Sequence, residues 1–208
     1  MTEFKKHTGV VAPFIVDNVD TDQIIPSREM KTVGKDGLGV GLFAGQRYVR
    51  TDDETRVEDP AFVLNKNHYR NATILLAGDN FGCGSSREHA VWALADFGIR
   101  AIIARGFGKI FRANCARNRV LAIELSAEKV AAIAAATAED PLANTITIDL
   151  EAEQIRLPGG DVFAFQVAPF DRKMLLDGLD YIDYTLRYRA KITEFLERDR
   201  ASRPWAHR

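Results

Sequence analysis

The sequence predicts an α/β fold: a mixed sheet with flanking helices, and further helices at the C-terminal end. Three observations predict it. Short apolar runs alternate with helix-patterned segments through the middle of the chain, a glycine-rich loop joins one such run to its helix, and the tail carries apolar residues at helical spacing. Strand–helix alternation builds parallel strands buried on both faces, which read as unbroken apolar runs rather than alternating ones.

The first apolar run, Val10-Val11-Ala12-Pro13-Phe14-Ile15-Val16, reads as a strand, and Asp17-Asn18-Val19-Asp20-Thr21-Asp22 as the polar turn after it. Residues 26–45 hold Gly34, Gly37, Gly39, Gly41 and Gly45, so Lys31 to Gly45 is expected to be a mobile loop that orders on binding. Residues 72–77 predict a buried strand and 78–85 a glycine-rich loop. A helix over 86–97 follows, with Ala90, Val91, Leu94 and Phe97 on one face and Gly98 closing it. Residues 101–104 predict the next strand, 109–117 a helix and 121–125 another strand. The alanine-rich stretch 130–138 predicts a helix capped by Ser126. Residues 145–150 and 162–167, joined through Pro158-Gly159-Gly160, read as a β-hairpin, and roughly 172–198 as one or two amphipathic helices.

A chain of 208 residues is long enough for one well-cored domain, and 46% hydrophobic with 27% charged residues is ordinary for a globular protein. Lysine and arginine total 28 against 29 aspartates and glutamates, a balance that offers no broad electrostatic footprint for nucleic acid or anionic lipid. The start, Met1-Thr2-Glu3-Phe4-Lys5-Lys6-His7, lacks the apolar stretch of a secretory signal, and no segment approaches the roughly 20 apolar residues that span a bilayer. Cys83 and Cys115 stand far apart in unrelated contexts, which fits free thiols in a cytoplasmic protein. Two cysteines are also too few for an iron–sulfur cluster, which takes about three or four thiolates.

The run Gly82-Cys83-Gly84-Ser85-Ser86-Arg87 carries the chemistry. A loop entering a helix presents unpaired N–H groups that favour anions, the glycines allow close backbone approach, and the Arg87 guanidinium can grip a carboxylate with two parallel bonds. The bland alternative is that Ser86 caps the helix and Arg87 makes a surface ion pair; caps are the commoner feature. The glycine spacing is neither that of a Walker loop nor that of the dinucleotide fingerprint.

The longer run Gly78-Asp79-Asn80-Phe81-Gly82-Cys83-Gly84-Ser85-Ser86-Arg87-Glu88-His89-Ala90 resembles the signature of the aconitase superfamily's swivelling β/β/α domain. Asp20-Thr21-Asp22-Gln23-Ile24-Ile25-Pro26 resembles a second signature, and Gly106-Phe107-Gly108-Lys109-Ile110-Phe111-Arg112-Ala113-Asn114-Cys115 a third, in the expected order and spacing. The resemblance continues to Arg203-Pro204-Trp205 and is to the form in which this domain is a separate small subunit, that of the 3-isopropylmalate dehydratases. It implies a single swivel-type domain over 1–208, with a helical tail from about 170 to 208.

The resemblance also implies roles. Ser85 would be the general base that takes a proton from the carbon beside a carboxylate, and Asp22 would arrange the site. Ser86 and Arg87 would bind a substrate carboxylate. His89 and Cys83 read as structural, the former as a core histidine, and Cys115 as buried. The implied partner is a large subunit carrying a [4Fe–4S] cluster, with no metal or cofactor on this chain. The implied substrate is a dicarboxylic acid, and neither nucleic acid nor membrane is implied.

The implied reaction is the isomerisation of 2-isopropylmalate to 3-isopropylmalate through isopropylmaleate, a step toward leucine. Aconitase meets the third carboxylate of citrate with an arginine downstream of the position of Asp22, and a similar count here arrives near Gly34. Ile24, Ile25 and Met30 are the expected apolar patch for an isopropyl group. Arg28 completes this specificity loop; it and Lys31 could each meet a carboxylate instead, and Arg28 is expected to point away from an isopropyl group. Arg105-Gly106-Phe107-Gly108-Lys109 departs from the usual third signature, which leaves related hydratases of citraconate, dimethylmaleate or homoaconitate-type acids as alternatives. A non-catalytic binding module is the alternative of another class.

Overall fold

The computed structural model describes residues 3–30, 34–50 and 55–207. In chain order it forms β1 (Lys6–Gly9), β2 (Val11–Phe14), α1 (Thr21–Ile24), α2 (Ala44–Arg47), β3 (Tyr48–Arg50), β4 (Arg56–Glu58), β5 (Ile74–Ala77) and α3 (His89–Phe97). There follow β6 (Ala101–Ala104), α4 (Lys109–Arg117), β7 (Leu121–Glu124), α5 (Ala127–Ala138), β8 (Ile146–Asp149), β9 (Gln154–Arg156), β10 (Val162–Ala164), α6 (Pro169–Asp177), α7 (Tyr181–Leu186) and α8 (Arg189–Ser202).

The expected α/β architecture is present, with its ladders divided between sheets. Strands β2, β5, β6 and β7 lie in that order as a four-stranded parallel sheet, whereas β1, β8, β9 and β10 form a four-stranded antiparallel one. The connections decide this. Helices α3 and α4 carry the chain back between parallel neighbours, while the short turns among β8, β9 and β10 permit only antiparallel pairing. Pro13, which has no N–H to give, lies in β2 at the sheet's edge, where a missing donor is tolerated.

The parallel sheet is the middle layer, because its strands are apolar on both faces and alternate between two cores. Leu75, Ala77, Ile102 and Ala104 face Ala90, Val91, Leu94, Phe111 and Cys115 of α3 and α4. Ile74, Leu76, Ala101 and Ile103 face Ile146, Ile148 and Ile155 of the antiparallel sheet, Val130 and Ile133 of α5, and Leu175 of α6. Each fully buried Leu or Ile in such a layer contributes about 1.5–3 kcal/mol by leaving water.

Four expectations change. The glycine-rich segment is packed rather than open: Leu38, Leu42 and Phe43 are buried against α3, and the Gly39 N–H donates to Asp96 Oδ2 at 2.7 Å. Lys31 and the rest of 31–33 lie outside the described residues. Helix α3 begins at His89 rather than residue 86. The turn at 158–160 joins β9 to β10, and β8 pairs instead with β1 and β9, a strand that its mixed polarity hid. The tail forms α6, α7 and α8, of which α8 buries no residue and leaves Phe195 half-exposed.

A histidine joins the two sheets. His7 of β1 meets Thr73 Oγ1 through Nε2 at 2.7 Å, immediately before β5, and burial, aided by nearby Arg100, lowers its pKa below the ordinary 6.5. The unfolded chain takes up that proton more readily, so the neutral imidazole's contribution is complete above about pH 6.5 and declines as pH falls below it. Thermal unfolding midpoints between pH 7.5 and 5.5 should therefore fall less steeply in His7→Gln than in the native chain, and equal slopes would contradict this account.

Candidate active site

The three signature segments leave the carboxyl ends of β2, β5 and β6, which are neighbours in the parallel sheet, the place where α/β sheets bind ligands. Backbone bonds lace them together. The N–H of Gly82 donates to Val19 O at 2.7 Å and that of Thr21 to Cys83 O at 3.0 Å; on the other side Phe81 N donates to Gly106 O at 3.0 Å and Gly108 N to Phe81 O at 2.9 Å. Asp17 and Asp79 continue the lacing. Asp17 Oδ1 accepts from the Asp79 N–H at 2.8 Å and pairs with Arg105, whose guanidinium, together with that N–H, holds the Asp17 carboxyl below its usual range.

Two glycines are required where these segments touch. Gly82 has φ +73°, and a Cβ there would lie 2.2 Å from the Phe111 ring. A Cβ on Gly108 would lie 2.5 Å from the Gly82 carbonyl oxygen. The Asp-Asn pairs that follow β2 and β5 supply the matching turns: Asn18 and Asn80 both have positive φ and bond to each other, Nδ2 to Oδ1, at 2.9 Å. That repeated dipeptide was the signal in the sequence for a paired turn.

On this frame the predicted residues assemble in part. Asp22 stands in the first turn of α1, which Asp20 caps with Gln23 in a reciprocal box. The Arg87 guanidinium pairs with Asp22 Oδ1 and donates to Ser27 Oγ at 2.8 Å, and Ser27 Oγ donates to Asp22 Oδ1 at 3.2 Å. Ser27 was not foreseen; a lone serine after a proline carries no distinguishing pattern. Ser85 and Ser86 are exposed at the surface beside this cluster, and the Ser85 carbonyl accepts from Thr21 Oγ1 at 3.3 Å. A cleft of about 540 Å³ adjoins it, lined by Asp20, Asp22, Gln23, Ser27, Arg28 and Gln46.

Several residues stand elsewhere than expected. Ile24 and Ile25 are fully buried in the core beneath the parallel sheet's helical face and offer no apolar patch to a ligand; Met30 is half-buried against the same core. Arg28, expected to point away, lines the cleft, but it is half-exposed and paired with Glu29 at 3.4 Å, so no buried lone cation arises. Ser86 caps nothing: Glu88 is the N-cap of α3, so the helix's free N–H groups lie beyond Ser85 rather than under it. His89 is half-exposed against the Trp92 ring, not in the core. Cys83 is half-buried, and Cys115 is buried with its thiol pushed up by desolvation. Among the described residues no three His, Cys, Asp or Glu gather as a metal site.

A layered α/β fold with this loop at its strand ends defines a domain of aconitase type. The Aconitase C-terminal domain family model matches residues 1–128, and the LeuD_N model matches residues 132–169. The small subunit of 3-isopropylmalate dehydratase from Cupriavidus necator is 51% identical over 207 residues, covering 100% of this chain and 99% of its own. That from Rhodospirillum centenum is 50% identical, covering 99% of both. The crystal structure of 3-isopropylmalate dehydratase from Methanocaldococcus jannaschii superposes with a TM-score of 0.64 at 28% identity, over 91% of this chain and 98% of that one. The chain belongs to the family of 3-isopropylmalate dehydratase small subunits, within the aconitase superfamily of hydro-lyases.

Because Gly82 sits at the crossing of all three segments, Gly82→Ala should destabilise the chain. Left-handed backbone costs about 1–2 kcal/mol for a residue with a Cβ, and moving the Phe111 ring about 1–3 kcal/mol more. Denaturant unfolding measures this, and a loss below about 0.5 kcal/mol, the level of an ordinary surface change, would mean that the crossing is loose.

Proposed function

We propose that this chain is the small subunit of a two-subunit hydro-lyase that converts 2-isopropylmalate to 3-isopropylmalate through isopropylmaleate, a step toward leucine. The observation that carries the proposal is the Ser85-Ser86-Arg87 loop at the parallel strand ends with its arginine held by Asp22 and Ser27, in a chain about half identical end to end to small subunits of that name. The small-subunit family implies a large subunit, which we take to hold the [4Fe–4S] cluster; when bound there, it supplies Lewis-acid chemistry at the substrate hydroxyl. Among the described residues no helix is long and apolar enough to cross a membrane, which is compatible with a cytoplasmic enzyme.

This chain's share is binding and proton transfer. Ser85 Oγ takes the proton from the carbon beside a carboxylate and returns one in the hydration half-reaction. A serine does this only where donors stabilise its alkoxide, and Arg87 is the cation two residues away. Ser86 and the Arg87 fork hold the carboxylate, with Asp22 and Ser27 fixing the guanidinium's plane. Ile24 and Ile25 being in the core, the surface that meets the isopropyl group lies outside them, and Arg28 lines the cleft, paired with Glu29.

After reconstitution with the large subunit, Ser85→Ala should lower kcat about 10²-fold or more by removing the base. Arg87→Lys should cost about 1.5–3 kcal/mol in kcat/KM, since lysine keeps the charge and loses the planar fork. Near-normal kcat in an assembled Ser85→Ala enzyme would reduce Ser85 to a loop residue and make Ser86 the next candidate. Iron and sulfide analysis of the purified chain alone should find no stoichiometric cluster; finding one would overturn the assignment of the cluster to the partner.

A further inference from the structure

The amide of Asn118 uses its whole bonding capacity. Nδ2 donates to Glu88 Oε1 at 2.6 Å and to the Asn114 carbonyl at 3.0 Å, while Oδ1 accepts from Trp92 Nε1 at 2.9 Å and Lys35 Nζ at 3.1 Å. An amide has two N–H donors and two acceptor lone pairs, so none is left over. Indole and ammonium only donate, which fixes Oδ1 toward Trp92 and Lys35 and leaves Nδ2 for Glu88.

Glu88 directly follows Ser85-Ser86-Arg87 and sets where α3 begins: its carbonyl takes the N–H groups of Val91 at 3.0 Å and Trp92 at 3.1 Å. Asn118 is itself held, as the C-cap of α4, by N–H bonds of 3.1 Å to the Asn114 and Cys115 carbonyls. The other end of α4 is Gly108, bonded to Phe81 at 2.9 Å. One helix thus grips the segment 81–88 at both ends, through Gly108 at Phe81 where the helix starts and Asn118 at Glu88 where it finishes.

We propose that Asn118 is a positioning residue for the Ser85–Arg87 loop, acting through Glu88; its consequence for turnover rests on the roles given to Ser85 and Arg87 above. Lys35, which also lies over the Trp92 ring at 5.2 Å, brings the glycine-rich segment to the same anchor. Asn118→Asp keeps shape and both acceptor contacts but loses both Nδ2 donations, setting a carboxylate against that of Glu88 and against the Asn114 carbonyl. Adding Glu88→Gln exchanges donor for acceptor and remakes the bond between residues 88 and 118, which is the one that reaches the loop.

In the assembled enzyme, Asn118→Asp should lower kcat about 10- to 100-fold, the cost of a misplaced catalytic group, and the Asn118→Asp/Glu88→Gln pair should recover at least half of that loss on a logarithmic scale. In the isolated chain, exchange at the Val91 and Trp92 amides should quicken in the single variant and slow again in the pair, with β5 and β6 amides unmoved. A kcat that does not fall, or a loss the pair does not recover, overturns the proposal, as does exchange that is unchanged or rises equally throughout the sheet. Should Ser85→Ala and Arg87→Lys keep full turnover while the Asn118→Asp loss, its recovery in the pair and the exchange pattern all appear as stated, the assigned catalytic roles fail and the positioning by Asn118 stands.

Discussion

The site depends on one steric constraint, the passage of three chain segments within backbone contact at Gly82. Parallel neighbours deliver the segments at strand ends about 4.8 Å apart, but closing them into one surface needs main-chain bonds on both sides of residues 81–83, and a side chain at Gly82 or Gly108 would hold them apart. The bonds satisfy buried carbonyl and N–H groups that would otherwise cost free energy in a loop with no ladder. The same contacts that let the loop fold therefore fix where Ser85 and Arg87 emerge.

Arg87 is not idle in the free chain. Its guanidinium pairs with Asp22, but the two side chains are 33% and 54% exposed, and ion pairs so solvated contribute only about 0–1 kcal/mol. In the proposed reaction, a substrate carboxylate that displaced part of this pairing would give up little. If it meets the planar fork away from water, the gain in charge-assisted bonding is larger, because the surrounding dielectric has fallen. In the proposed reaction Asp22 and Ser27, which both contact the Arg87 guanidinium, would hold it in place before substrate arrives.

The sequence was legible where a single force dominates. The short unbroken apolar runs at β5 and β6, bounded by glycine and polar residues, read as buried strands, and Gly98, with φ +111°, closes α3 as a C-terminal glycine should. Legibility failed where tertiary contacts override local pattern. Ile24 and Ile25 follow an acidic motif and look available, yet α1 turns them inward and they are fully buried. Glycines 39 and 41 read as mobility but lie buried against neighbouring elements. Ser27 and Asn118 carry no local signature at all; each matters through partners 60 and 30 residues away along the chain, at Arg87 and Glu88.

Exposure also bears on why, in the proposed reaction, this surface would be half a site. In the proposed reaction Ser85 must become an alkoxide long enough to take a carbon-bound proton, and in open water that species is protonated at once. Ser85 and Ser86 are exposed here, and the helix start that could have supplied N–H donors is spent on Glu88's segment instead. Exclusion of water, the remaining donors and the apolar complement to an isopropyl group must then come from whatever covers this face. A large subunit closing over the strand ends would meet all three needs with one contact, and would turn the weak, solvated Asp22–Arg87 pair into a strong one. In the proposed enzyme the small chain would bring its loop on a parallel sheet, and its chemistry would wait on being covered.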